Sequence, residues 1–132
     1  MKIAIVTGAT SGLGRAFLEA WQREGCWFDE VWLVARHQEA LARTANAVPW
    51  PCRQFAIDLA QAQERKRLFE ALAEQRPQIQ AVVNSAGYGK TGPVDSIAPQ
   101  EQTGMIDLNC SALVVVTQQV LPYMMRGGVI YE

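Results

Sequence analysis

The sequence lacks the features that would tie a protein to a nucleic acid, a membrane or an oxidising compartment. Lysine and arginine number 12 against 13 acidic residues, the formal net charge is −1, and the basic residues form no run. A polyanion or an anionic membrane surface therefore meets no complementary patch. Long apolar stretches are also missing: none is longer than Ala112 to Val116, far below the roughly 20 residues of a membrane span. The apolar run after Lys2 meets Gly8 at once, which leaves no signal-peptide core. Cys26, Cys52 and Cys110 are odd in number and far apart, fitting neither a disulfide framework nor a zinc site. We read them as reduced core thiols in a soluble, cytoplasmic protein with no metal site. The one histidine, His37, falls in an expected loop and is assigned no role.

What is present is the composition of an ordinary globular domain: 132 residues, 49% of them apolar and 19% charged. Lys2 to Thr7 reads as a strand, followed by glycines and then a helix that stops at Gly25, with Leu13, Phe17, Ala20 and Trp21 inward. Glu30 to Ala35 is a second strand with no polar face, as in a parallel sheet covered on both sides. Gln38 to Ala47 reads as a helix, and Arg53 to Ile57 as a third strand ending at Asp58. A third helix, Gln61 to Gln75, carries Glu64, Arg65, Lys66 and Arg67 on a solvated face. Ile79 to Val83 is the fourth strand. A long helix from Pro99 to about Met124 follows, and Gly127-Gly128 lead into Val129-Ile130-Tyr131, the opening of a fifth strand. The alternation implies right-handed βαβ units. The expected fold is α/β, a Rossmann-type doubly wound parallel sheet cut off after the start of its fifth strand.

Chemistry concentrates at the first strand–helix junction. The free N–H groups of a helix's first turn and its dipole favour a negative ligand such as a diphosphate. Gly8, Gly12 and Gly14 let that ligand approach the backbone and let helix and strand pack closely, while Thr7, Thr10 and Ser11 can add hydroxyl donors. A glycine turn used only for packing is the plainer alternative, but its place between a strand and a helix at the start of an alternating chain favours nucleotide binding. About 20 positions beyond the glycines, an NAD-type site would carry an acid on the ribose. Val34-Ala35-Arg36 stands there instead. An arginine can pair with the 2′-phosphate of NADP, with Arg15 helping; the alternative is a surface loop charge.

Thr7-Gly8-Ala9-Thr10-Ser11-Gly12-Leu13-Gly14 closely resembles the glycine motif of short-chain dehydrogenases/reductases. Asn84-Ser85-Ala86-Gly87 resembles that family's Asn-Asn-Ala-Gly element, with Ser85 in place of the second Asn. Asp58-Leu59 matches the acidic position beside the adenine pocket, and Ile106-Asp107-Leu108-Asn109 the helix that bears a structural and catalytic asparagine. Taken alone, Asp58 could be a helix N-cap and Asn109 a surface residue or one bonding a neighbouring backbone group. The resemblance implies an oxidoreductase that interconverts alcohols and carbonyls with NADP(H). The residue reading and the resemblance together assign Thr7, Gly8, Thr10, Ser11, Gly12, Leu13, Gly14, Arg15, Arg36, Asp58, Leu59, Asn84, Ala86 and Gly87 to the cofactor, and the resemblance assigns Asn109 to the catalytic set. Residues 1–132 would then be one incomplete NADP(H)-binding domain.

Relatives in that family use a Ser after the fifth strand and a Tyr-x-x-x-Lys pair on the next helix. Neither can be placed here: the only lysines are Lys2, Lys66 and Lys90, and no Tyr lies four residues before any of them. The expectation is a chain inactive alone and prone to self-association. The alternatives are a non-catalytic NADP-binding or sensor module, or a subunit completed by another chain.

Overall fold

A computed structural model describes residues 1–132. Five parallel strands, β1 (Lys2–Thr7), β2 (Glu30–Ala35), β3 (Cys52–Ala56), β4 (Gln78–Asn84) and β5 (Met124–Tyr131), form one sheet in the order β3-β2-β1-β4-β5. The helices are α1 (Gly12–Arg23), α2 (Gln38–Asn46), α3 (Ala62–Gln75), α4 (Pro99–Ile106) and α5 (Leu113–Val120), with a π-helical turn, Asp107–Ala112, between the last two. The doubly wound sheet is the one the alternating pattern predicts.

Period-two alternation in the strands sends side chains to opposite faces. Ile3, Ile5, Trp32, Val34 and Val82 join Leu68 and Leu72 of α3 and Val116 and Val120 of α5 in one core. Ala4, Val6, Val31, Leu33 and Val83 join Leu18 and Trp21 of α1 and Leu41 of α2 in the other. In β4 the alternation skips Gln80, where the register shifts against both neighbouring strands; that bulge puts Ile79 and Val82 on the same face.

Several boundaries differ from the sequence expectations. The inward stripe of α1 is Gly14, Leu18 and Trp21, whereas Leu13 is 59% exposed. Gly14 must face the strand, and Leu13, one position earlier, is rotated about 100° away. The long helix ends at Val120, before a 3₁₀ turn at Leu121–Tyr123. β5 therefore starts at Met124 rather than after the glycines. Its pairing skips from Met124 to Val129, with Gly127 at φ +81° inside the irregular stretch, so Gly127-Gly128 interrupt the strand instead of leading into it. On α3, Arg65 Nη1 donates to Leu59 O at 2.7 Å and Arg67 Nη1 to Ala56 O at 3.2 Å. That charged face is thus partly tied to the end of β3.

The helical run Pro99–Tyr123, 25 residues, is long and apolar enough by length and composition alone to cross a membrane. The five-residue apolar stretch understated it because scattered polar residues divide the run. Its Ala112, Val116 and Val120 pack into the sheet's core, as a covering helix requires.

All three cysteines are free, but Cys110 is exposed and not a core thiol. Burial, with a smaller contribution from the Glu30 carboxylate, pushes the Cys52 thiol up to about 11. Its folded-state value then exceeds the ordinary thiol value of 9.0, so the stability it contributes is full below that pH and fades as pH rises towards about 11. At mildly alkaline pH an alkylating reagent should modify Cys110 first and Cys52 last, as peptide mapping would show; early labelling of Cys52 in the folded chain would contradict this placement.

Candidate functional site

Strand order reverses between β1 and β4, and ligands of open α/β sheets bind beyond the carboxyl ends of the strands at such a switch point. A cleft of about 210 Å³ lies there, lined by Gly8, Thr10, Ser11, Val34, Ala35, Arg36, His37, Ile57, Asp58, Leu59, Ala86, Gly87, Tyr88 and Leu108. A larger depression of about 330 Å³ runs along the flank between α1 and α2, away from most of these groups.

The glycines of the first turn do different jobs. Gly8, at φ +65°, lies so close to β4 that a Cβ would sit 2.6 Å from Ser85 O. Gly14 packs α1 on the turn: its Cβ would fall 2.3 Å from Gly8 O. Gly12, at φ +51°, has nothing within 4 Å of the same position and faces open space. Ser11 is the N-cap of α1, its hydroxyl makes no capping bond, and no acid occupies the first turn. The N–H groups there have no intrahelical partner and are free to meet an anion. Gly14→Ala should therefore cost stability, about 1–3 kcal/mol as an overpacking change. Thermal unfolding checks this, and an unchanged midpoint would contradict the packing role.

Thr7 is 1% exposed and lies behind the cleft rather than in its wall. Its hydroxyl donates to Val83 O at 3.4 Å and accepts from Ala86 N at 3.1 Å, while Ser85 Oγ donates to Thr7 O at 2.6 Å. These bonds latch β1 to the end of β4, and they give Ser85 a use where the related motif has Asn. Asn84 is buried too, with Nδ2 donating to Thr117 Oγ1 at 3.0 Å, so it fastens β4 to α5. Ala86 and Gly87 remain in the cleft wall.

Asn109, in the π-helical turn, grips the loop after β4 with both ends of its amide. Oδ1 accepts from Tyr88 N at 2.9 Å and Nδ2 donates to Tyr88 O at 2.8 Å. A Cβ on Gly87 would lie 2.5 Å from Asn109 Oδ1, so glycine is needed for the grip. Asn109 is thus a positioning residue here, the backbone-bonding role being one of the readings its sequence position left open.

Arg36, the residue after β2, stands exposed at the rim of the cleft, with Asp58 and Leu59 from the segment after β3 also in the wall. Asp58 is not the N-cap of α3, which is Gln61. Its Oδ1 accepts from Ala60 N at 3.0 Å in a local turn. Arg15 is not brought to the cleft: it faces the α1–α2 groove, 4.0 Å from Glu19. Gly12, Leu13 and Gly14 are outside the cleft wall as well, whereas Gly8, Thr10 and Ser11 are in it. Sequence reasoning did not assign Val34, Ala35, His37, Ile57, Tyr88 or Leu108 as site residues, although each lies within or beside an assigned residue or motif.

The profile of the short chain dehydrogenase family matches residues 2–131. The chain belongs to that family. It is 32% identical over 127 residues to D-threitol dehydrogenase of Mycolicibacterium smegmatis, covering 96% of this chain and 49% of that protein. A short-chain dehydrogenase from Streptomyces avermitilis superposes with a TM-score of 0.81 at 27% identity, covering 98% of this chain and 47% of the other. The L-sorbose reductase of Gluconobacter frateurii, solved with NADPH and L-sorbose, shares the fold with a TM-score of 0.77 at 24% identity, over 92% of this chain and 46% of its own. The chain spans about half the length of the curated relatives it matches. Family membership makes it part of an oxidoreductase lineage built on nicotinamide cofactors.

Proposed function

We propose that the cleft holds NADP(H) and that the intact protein interconverts a small alcohol and its carbonyl compound, with residues 1–132 as the cofactor-binding domain. The observation that carries this reading is Arg36 at the cleft rim, at the end of a strand that offers no carboxylate to a ribose hydroxyl. The first-turn amides of α1, which follow Thr10 and Ser11 of the cleft wall, suit the diphosphate; Asp58, Leu59 and Ile57 suit the adenine side. The bound cofactor would supply hydride. This chain's own residues would bind and orient it: Asn109 through its grip on Tyr88, Thr7 and Ser85 through their latch behind Ala86 and Gly87. The relatives' names, a threitol dehydrogenase and a sorbose reductase, support a small polyhydroxylated substrate for the intact protein. Free cysteines accord with a cytoplasmic setting.

The test is the Arg36→Ala variant titrated with both cofactors. One charge-assisted phosphate contact is worth about 1.5–3 kcal/mol, so the preference for NADPH over NADH should fall roughly ten- to a hundredfold. A preference that survives the substitution intact would contradict the assignment.

The same reading includes self-association. Ile106, Val114 and Leu121 are 59%, 61% and 55% exposed and recur at near-heptad spacing, one face of the α4–α5 run. β5 is an edge strand that exposes Val129 and Tyr131. Open edges and apolar patches favour pairing with another copy. Light scattering should show an average mass that climbs with concentration; a constant monomer mass would contradict it.

A further inference from the structure

Resting on the reading of the cleft as an NADP(H) site, we infer that Arg43 is a second guanidinium for the cofactor's 2′-phosphate and that Glu39 competes for it. The loop after β2 and the first turns of α2 enclose an open concavity of about 460 Å³, whose lining includes Arg36, His37, Glu39 and Arg43. Arg36 and His37 also line the cleft, so the concavity is the cleft's outward continuation at the end of β2. Arg36 and Arg43 are both exposed, and neither is in an ion pair. Arg43 lies within the second turn of α2, which starts at Gln38. Arg43 lines the concavity together with Arg36 and also borders the α1–α2 groove.

Charge and geometry both favour two arginines over one. A phosphate monoester carries about −1.5 to −2 near neutral pH, more than one guanidinium neutralises. Arg15, the helper expected from sequence, meets Arg43 only across the α1–α2 groove and does not line the concavity. Glu39 does line it, four residues before Arg43 on the same helix, where a carboxylate and a guanidinium can pair. Its charge would repel a phosphate and offer Arg43 a competing partner. The two side chains should therefore act with opposite signs on NADPH and leave NADH untouched.

Calorimetric affinities of NADPH and NADH, measured at low salt for the unmutated chain, Arg43→Ala and Glu39→Gln, test the proposal. Arg43→Ala should lower the NADPH-to-NADH affinity ratio by about three- to tenfold with NADH affinity unchanged, and Glu39→Gln should raise the ratio by about two- to fivefold. Both effects should shrink as salt is added. A normal preference for NADPH that neither substitution moves would overturn the role of Arg43 alone and leave the cleft reading standing. Equal weakening of both cofactors by Arg43→Ala would also overturn it, as a structural effect. Equal affinities in the unmutated chain would overturn the cleft reading, and this proposal with it.

Discussion

Gly12→Val should abolish NADPH binding while the chain stays folded. The two properties separate because of where this glycine sits. A Cβ at Gly14 or Gly8 would collide with backbone at 2.3 or 2.6 Å, whereas one at Gly12 meets nothing within 4 Å. The added side chain has room in the empty turn. Its cost to the fold is the positive φ of +51°, a conformation that disfavours residues with a Cβ by roughly 1–2 kcal/mol. On the proposed reading, the same open space would be the ligand's approach to the N–H groups of the first turn of α1. Several charge-assisted bonds worth about 1.5–3 kcal/mol each would be lost, so the expected loss of affinity is at least about a hundredfold. Circular dichroism and calorimetry on one preparation decide it. A folded variant that binds NADPH with unchanged affinity would mean that the diphosphate does not lie against this turn.

The second large effect is on turnover. This chain alone should not reduce carbonyls or oxidise alcohols, even with NADP(H) bound. Proton transfer matched to hydride transfer contributes typically 10²–10⁴-fold, and it needs a donor in reach of the reacting oxygen. Lys2 begins β1, at the opposite end of the sheet from the cleft, and Lys66 lies on α3. Lys90 is held by Glu101, with Nζ 2.8 Å from Oε2. Tyr88 lines the cleft, but its hydroxyl donates to Glu101 O at 3.3 Å on α4. Tyr131 packs on Phe17 with ring centroids 4.7 Å apart. No tyrosine is paired with a lysine at the cleft, and Asn109 spends both ends of its amide on Tyr88. An NADPH-oxidation assay over a panel of carbonyl compounds should give no rate above background. Robust turnover would show that one of these side chains leaves its partner to act on substrate.

β1 and β2 were legible because each is a short apolar run bounded by glycine or polar residues, and a parallel sheet buried on both faces writes itself as such runs. The glycine turn was legible for a related reason: Gly8 and Gly14 answer backbone approaches closer than any Cβ allows. Harder to read was which hydroxyl or amide faces the ligand and which serves the scaffold. Thr7 and Asn84 sit in motif positions, yet the pairing of β1 with β4 draws Thr7 inward to Ala86 N, and the packing of α5 draws Asn84 to Thr117. Those partners are more than 30 residues away in sequence, and local pattern does not carry them. Arg15 was misplaced because one position along a helix is a rotation of about 100°. Following Gly14, which must face the strand, it turns towards α2. The start of β5 was missed because Met124 to Arg126 continue the apolar helix pattern, and Gly127-Gly128 look like a boundary when they mark an interruption within the strand.

The most direct test of the NADP(H) reading is calorimetric titration of the purified, unmutated chain with NADPH and, separately, with NADH. Both cofactors should bind saturably, with NADPH tighter by roughly ten- to a hundredfold, the worth of a charge-assisted contact from Arg36 to the 2′-phosphate. Equal affinities, or tighter binding of NADH, would contradict it.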